Sequence, residues 1–510
     1  MKIFKKIYQI FAALCVFSVF GGLTALCIYA GEVRLIIDED TEYEAIEGFG
    51  VSAAWWAKYF GNSGAVVDGE PVSDYVARML YNEESGIGLD TYRYNIGAGS
   101  KDQPGVSFSE TRQTESFYYF DASLGKYTYD FSRDAASMSM LDAAVRQNPK
   151  LGIVLFSNSP HFSMTKNGSA SGDLAGKSNL SPDKFGEYAN YLVTITKHFI
   201  DSGYNIIGLS PINEPQWKWG REGNIHQEGC HYEPKEALNL SIVVAEKMKA
   251  AGIDFGKTKL VFLEDGRVGH TKGISLYRNA LAENLFLREA TGNIYTAHSY
   301  AYDFRMGLKT LAEYRARAKD KNLKIALSEW CELPSVTDSR STQAGLNLLR
   351  VMQSDFDIYK PISWEAWVAV NEWGDYRGEP RGDGFFVADF ADLSTITTSG
   401  RFYAMGHFSK FVNPGDIHIK SHITNPIKSD ELYSTAFKTA AGTVVIISNN
   451  TGRRVNIKFP TNYSNITVYK TDGVLQLDTV YSGGLNAYLS MGEGYKFEAD
   501  SKSIYTIILN

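Results

Sequence analysis

The chain has 510 residues, 44% of them hydrophobic and 21% charged, with a formal net charge of −7. That length and mix fit a large globular fold, a barrel plus an accessory domain, and exclude a disordered chain. Residues 1–30 carry three lysines and no acid, so the remainder stands at −10, a balance that argues against nucleic acid as a partner.

In chain order, Lys2, Lys5 and Lys6 precede an almost uncharged apolar run over residues 7–29, and Ala30-Gly31-Glu32 supplies small residues suited to a signal peptidase. Residues 1–30 are therefore expected to be a signal peptide, and the mature protein to be secreted, extracellular or attached at the cell surface. A run of about twenty apolar residues can also span a bilayer, so an uncleaved anchor is the alternative; without it no membrane association is expected. Leu26 is bulkier than the residue a lipoprotein signal wants before Cys27. Cys15 and Cys27 leave with this segment, and Cys230 and Cys331 remain either as one disulfide or as two separate buried thiols.

Residues 31–44 carry the alternation Val33, Leu35, Ile37, an expected strand joining a C-terminal β-domain. From 45 to 411 short apolar strands alternate with amphipathic helical stretches, as in a parallel α/β domain. Strands are predicted over 46–53, 88–96, 151–158, 206–212, 259–264, 293–299, 323–329 and 361–368. Ser181-Pro182-Asp183 starts one helix, and Glu233-Pro234-Lys235 starts another that Gly252 closes. Eight strand and helix units predict a (β/α)8 TIM barrel, with its chemistry at the carboxyl ends of the strands. From 412 to 510 the texture changes to period-two segments, Val455, Ile457 and Phe459, then Ile466 and Val468, then Tyr505, Ile507 and Leu509. These predict a β-sandwich fused at the side of the barrel.

Strand four ends in Asn213-Glu214-Pro215, which puts an amide and a carboxylate at the barrel mouth. Glu214 there can protonate a leaving oxygen if an apolar wall keeps its pKa raised; alone, it could equally cap a loop or pair with a lysine. Strand seven ends in Ser328-Glu329-Trp330. Two glutamates ending strands four and seven face each other across one mouth, and glycosidic hydrolysis with retention needs such a pair, one acid and one nucleophile. Glu47, Glu264, Glu332 and Glu365 are the other acids in or beside strands. Glu332 is the rival, but three residues beyond Glu329 it shares neither its face nor its position. No phosphate loop, dinucleotide fingerprint or dense His/Cys cluster occurs, so neither cofactor nor metal is expected.

The two carboxylate motifs on these strands resemble clan A glycoside hydrolases, and the chain after its first thirty residues resembles glycoside hydrolase family 30. Glu47-Gly-Phe-Gly50 and Phe408-Ser-Lys-Phe-Val-Asn-Pro-Gly415 are similar to landmarks of that family. The resemblance implies a barrel with a fused β-domain and a double-displacement mechanism, with Glu214 as acid/base and Glu329 as nucleophile. Three loop strings, Phe156-Ser-Asn158-Ser-Pro160, Met164 to Gly172 and Gln227-Glu-Gly-Cys230, look most like the endo-β-1,6-galactanase branch, and as loop motifs they are expected to face substrate. His161-Phe162 departs from the tryptophan familiar there.

The remaining candidate substrate-binding residues carry two readings each. Arg93 on strand two either holds Glu329 ionised, the role the resemblance gives it, or joins a structural ion pair. Asn213 hydrogen-bonds a sugar 2-hydroxyl or caps a loop. His298 and Tyr300, ending strand six, steady a catalytic carboxylate or are satisfied core groups. Trp55, Trp217 and Trp364, with Trp56 and Trp367, offer flat rings for sugar CH faces, or belong to the core. The expected partner is a polysaccharide or oligosaccharide. A non-catalytic glycan-binding barrel, or a family 30 enzyme acting on β-1,6-glucan, xylan or a β-glucoside, are the other readings.

Overall fold

The computed structural model describes residues 33–221, 225–267, 272–300, 323–333, 337–372, 382–424, 431–460, 462–485, 489–492 and 494–510. The expected signal segment lies outside them. Among the described residues no helix is long and apolar enough to cross a membrane.

Eight parallel strands form one sheet: Gly48–Ser52, Thr91–Asn95, Gly152–Phe156, Ile206–Ser210, Lys259–Leu260, Ile294–His298, Lys324–Glu329 and Ser363–Ala366. Counted as barrel strands one to eight, they pair in the order 5-4-3-2-1-8-7-6. The ring closes between strands five and six through the single parallel bridge Asp265↔Ala297. This is the (β/α)8 barrel that the alternation predicts. Strand five is shorter than its apolar run because pairing lapses after Leu260 and resumes only at the bridge Asn213↔Glu264.

The helices that wrap the strands show why the chain folds locally as it does. Phe185–Asp201, entered through a 3-10 turn at Pro182–Lys184, buries Tyr188, Leu192, Ile195 and Phe199, a three-and-four spacing that presents one apolar stripe to the strands. Pro234–Ala250 starts where expected, with Glu236 accepting the Glu233 backbone N–H at 2.9 Å, and ends before Gly252, whose φ of 74° only glycine adopts freely. Helices Thr342–Ile358 and Gly400–Ser409 follow strands seven and eight.

The compact unit that holds the barrel is Tyr43–His418. It runs past the expected limit at 411 because the turn at Asn413 to Asp416 is tied to the start of strand one: Gly415 N–H donates to Ile46 O at 2.8 Å and Ile46 N–H to Asp416 O at 2.9 Å. The second unit, Ile419–Asn510 with the described residues up to Glu42, is all β. Val33–Ala45 lies in its sheet between Ile417–Thr424 and Val455–Lys458, pairing parallel to the latter at Val33↔Ile457. Ile457, Val468, Ile507 and Leu509 are buried, so the period-two residues form the core of this β-sandwich.

Candidate active site

Strand parity builds the site. On strand two Tyr92 and Tyr94 point outward, Tyr94 donating to Asp134 beside the helix Ala135–Gln147, so Arg93 between them points into the barrel. There it is fully buried and lies 3.7 Å from the Phe156 ring centroid. Its Nη1 donates to Glu329 Oε2 at 2.8 Å, and its Nη2 meets Glu264 Oε2 at 2.7 Å and Asn213 Oδ1 at 3.1 Å.

Glu214 stands just past strand four with φ of 47°, a left-handed conformation that costs a non-glycine residue roughly 1 kcal/mol. Backbone bonds hold it: Glu214 N–H donates to Glu264 O at 2.7 Å, and its carbonyl accepts from Trp217 N–H and Trp219 Nε1, both at 3.2 Å. The bend turns the carboxylate toward strand six. His298 Nδ1 lies 3.1 Å from Glu214 Oε1 and 3.4 Å from Glu329 Oε1, and its Nε2 lies 3.4 Å from Glu264 Oε2. Tyr300 donates to Glu329 Oε1 at 3.0 Å. One atom each of Glu214, His298 and Glu329 lie within 4.8 Å of one another.

The electrostatics follow from burial and pairing. Burial alone would lower the His298 pKa, but Glu329, Glu214 and Glu264 around the ring raise it to about 10, so the imidazole is a cation at neutral pH. Burial would raise Glu264, yet Arg93 and His298 outweigh it and hold that carboxyl at about 2. Burial pushes Glu329 upward, with Glu214 and Glu264 adding to it, against the pull of His298 and Arg93. Arg93, Tyr300 and His298 all present donors to Glu329, the environment of an oriented carboxylate. Glu214, His298 and Glu329 are also the one acid and histidine grouping among the described residues close enough to hold a metal ion.

The other expected residues divide. Asn213 donates from Nδ2 to Asn158 Oδ1 at 3.0 Å, and the buried Asn158 keeps its own Nδ2 without a partner. Trp55, half-buried with φ of 70°, meets Trp367 edge-on at 5.0 Å, and Trp217, also half-buried, carries Arg267 over its ring at 4.8 Å. Trp364 is a correction: it is fully buried and donates from Nε1 to Asp355 Oδ2 of the helix Thr342–Ile358 at 2.9 Å, so it packs against the helix layer rather than the mouth. Trp56 is likewise core. Glu332, the rival acid, is engaged by Arg401, Thr337 and Asn347 in a buried structural network.

Of the three loop strings, Phe156 to Pro160 brings Asn158 to the site, while the other two are partly fastened within the fold. Within Gln227 to Cys230, Glu228 is buried and accepts from the backbone N–H groups of Ala98 and Ser100 and from Thr114 Oγ1, tying the loop down, while Cys230 is a buried free thiol, as is Cys331. In Met164 to Gly172, Met164, Ala170 and Ser171 are buried and Ser169 and Ser171 bond each other at 2.8 Å, while Lys166, Asn167 and Gly168 are exposed. His161 is buried among Tyr118, Tyr127, Phe162 and Tyr191. Glu264, weighed above only as another acid, proves central. Its position at the end of the strand-five run is the signal that marks it.

A barrel mouth in which a histidine joins two carboxylates, one of them also held by an arginine, has the groups that glycosidic bond hydrolysis needs, and the family comparison agrees with that chemistry. Residues 32–379, more than half of the chain, match the family model described as O-glycosyl hydrolase family 30. The chain belongs to that family and is an O-glycosyl hydrolase. It is 24% identical over 461 residues to an endo-beta-1,6-galactanase of Hypocrea rufa, with 85% of each chain covered. Among solved structures, a conserved exported protein from Bacteroides fragilis superposes with a TM-score of 0.76 at 22% identity over 93% of this chain and 99% of that one. The catalytic domain of a family 30 xylanase C from Talaromyces cellulolyticus gives 0.67 at 18% identity over 94% and 100%.

Proposed function

We propose that the protein is a secreted retaining hydrolase that cleaves β-1,6-linked galactan, as found on arabinogalactan side chains, by double displacement. The observation that carries the mechanism is the closeness of Glu214 and Glu329, joined through His298, with one carboxylate oxygen of each inside 4.8 Å, a bound on the nearest oxygens that is shorter than the separation of the carboxyl groups and lies on the retaining side. Inverting enzymes hold their carboxyl groups about 6.5–9.5 Å apart to admit a water, whereas retaining ones keep them at about 5–5.5 Å. Glu329 attacks the anomeric carbon while Glu214 protonates the departing oxygen. Glu214 then draws a proton from the water that releases the glycosyl group. Arg93, Tyr300 and His298 donate to Glu329 and aim it, the two cations offsetting part of the rise that burial gives its pKa, and Trp55 and Trp217 supply ring faces at the mouth.

The substrate reading is supported by the endo-beta-1,6-galactanase relative, which shares 85% of its length with this chain. Export is supported by the basic, apolar, small-residue order of residues 1–30. The test incubates the purified protein with β-1,6-galacto-oligosaccharides, β-1,3-galactan, β-1,6-glucan and xylan and identifies the products. Galactose oligomers released from the first substrate alone are expected. Faster cleavage of β-1,6-glucan or xylan would leave the mechanism standing and reject the substrate, and binding without hydrolysis would reject both.

A further inference from the structure

A barrel interior is normally filled by layers of bulky branched side chains. Here several lining positions are small: Thr91, Gly208, Thr296, Ala326 and Ser363, together with branched residues such as Val154 and Ile294, line a cavity of about 480 Å³ instead. Its upper end is bounded by Glu264, Ser328 and Glu365, directly beneath Arg93 and His298, and its lower end by Glu47, Lys257 and Gly415 at the opposite face of the barrel. Gly50 makes room for Glu365, since a Cβ there would stand 3.0 Å from Glu365 Cγ.

Two carboxylate oxygens in this shaft have no hydrogen-bond partner, Glu264 Oε1 and Glu365 Oε2, although both residues are more than nine-tenths buried. Such groups demand partners. The hydroxyls of Thr91, Thr296, Ser328 and Ser363 line the same space among aliphatic neighbours such as Val154 and Ile294, giving waters several partners, and at about 30 Å³ per water it is roomy enough for several.

Charge balance then separates the two acids. Arg93 and His298 are the cations of this layer, and they are matched by Glu264 and Glu329. Glu365 faces the same four groups, with Tyr81 as a further titratable neighbour, and among the described residues no third cation acts on it, Lys257 lining only the far end. At the far end Lys259 is taken by Glu47 at 3.0 Å.

We propose that the shaft is a water-filled conduit through the barrel in which Glu365 is a neutral carboxylic acid that exchanges its proton with the far face and so tunes the catalytic layer from behind. A proton leaving Glu365 passes to an adjacent water and along the file to bulk, and the reverse movement restores it. Burial, which raises the Glu365 pKa to about 8, agrees with the neutral form. When Glu365 does ionise, it adds a negative charge beneath His298 and Glu329 and makes further negative charge in the catalytic layer more costly. Glu365 is thus a positioning residue for charge, acting through the pair at the mouth.

The conduit is tested without activity. Glu365→Gln keeps the shape but cannot ionise, so its melting temperature relative to the parent should rise between pH 5 and pH 9, by about 3 °C or more. A constant difference would overturn the proposal. So would a cation filling the shaft, seen as stabilisation of the parent but not of Glu365→Gln by sodium, potassium or calcium chloride at fixed ionic strength. A crystal structure of the parent should show waters on Glu365 Oε2 and Glu264 Oε1, and a dry shaft would overturn it even if Glu365→Gln failed to fold. The influence on catalysis rests on the hydrolase reading above. On whichever glycan the enzyme cleaves, the alkaline limb of kcat/KM should begin at lower pH in Glu365→Gln, and an unmoved limb would sink the tuning claim while leaving that reading intact.

Discussion

At the residue scale the roles of the two glutamates separate by what each variant can still do. Glu214→Ala keeps its nucleophile and lacks proton transfer, so with an activated aryl glycoside and azide it should regain turnover and release a β-glycosyl azide. Glu329→Ala lacks the nucleophile and should give at most the α-azide. Product stereochemistry read by NMR checks this, and the reverse pattern would exchange the roles. Both glutamates were legible in the sequence because an acid ending an apolar strand has few structural uses. Arg93 was legible as a candidate only: the flanking Tyr92 and Tyr94 give the parity, but whether an inward arginine meets Glu329 depends on strands 236 residues apart in the chain. Trp364 was misread although parity was available there too. Ser363 and Glu365 line the shaft, so the residue between them had to face the helices.

At the scale of elements, the two acids three residues apart after strand seven show how position outweighs residue type. Glu329 still belongs to the strand and faces inward; Glu332 has left it and binds Arg401 of the helix Gly400–Ser409, with both side chains under 5% exposed. Removing one partner of a buried ion pair typically costs about 3–5 kcal/mol. Glu332→Ala should therefore lose stability of that order in denaturant unfolding yet keep substantial turnover per folded molecule, whereas Glu329→Ala should stay folded and inactive. Inactivity of a well-folded Glu332→Ala would reinstate it as a catalytic acid. The strands were readable because both of their faces are buried and their apolar runs are short. The loops were not, since Glu228 and Ser169 serve the fold of their own segments, and a serine or glutamate in a loop reads the same whether it meets a sugar or a backbone amide.

For the whole molecule, burial of ionisable groups predicts how stability depends on pH, and the two units should respond differently. Burial raises Asp90, Asp265 and Asp355 to about 7 and Glu365 to about 8. In each case the folded state holds a proton that the unfolded chain releases near pH 4, so stability falls as pH rises from about 4 to those values, by about 1.4 kcal/mol per pH unit for each group. His298, raised to about 10, acts in the same sense above about 6.5. Burial lowers His161 to about 4 and His407 and His418 to about 3, which removes stability as pH falls below about 6.5 and so opposes the acids only there. Above that point, among the described residues, the opposing groups are Lys58, which burial lowers to about 8, and Lys410, also lowered by burial, and Lys58 acts only from about pH 8 upward. All of these groups lie within Tyr43–His418, while in the β unit Glu39, Asp472 and Asp500 have lowered pKa values, whose stability is complete near neutrality and is lost only in acid. The seven tryptophans among the described residues, from Trp55 to Trp367, all fall in the barrel unit and residues 419–510 contain none, so intrinsic fluorescence reports the barrel's melting. The fluorescence midpoint should drop steadily from pH 6.5 to pH 8.5, while a far-ultraviolet dichroism component from the β unit stays put over that range. A fluorescence midpoint that held constant or rose would mean that these acids are already ionised in the folded barrel.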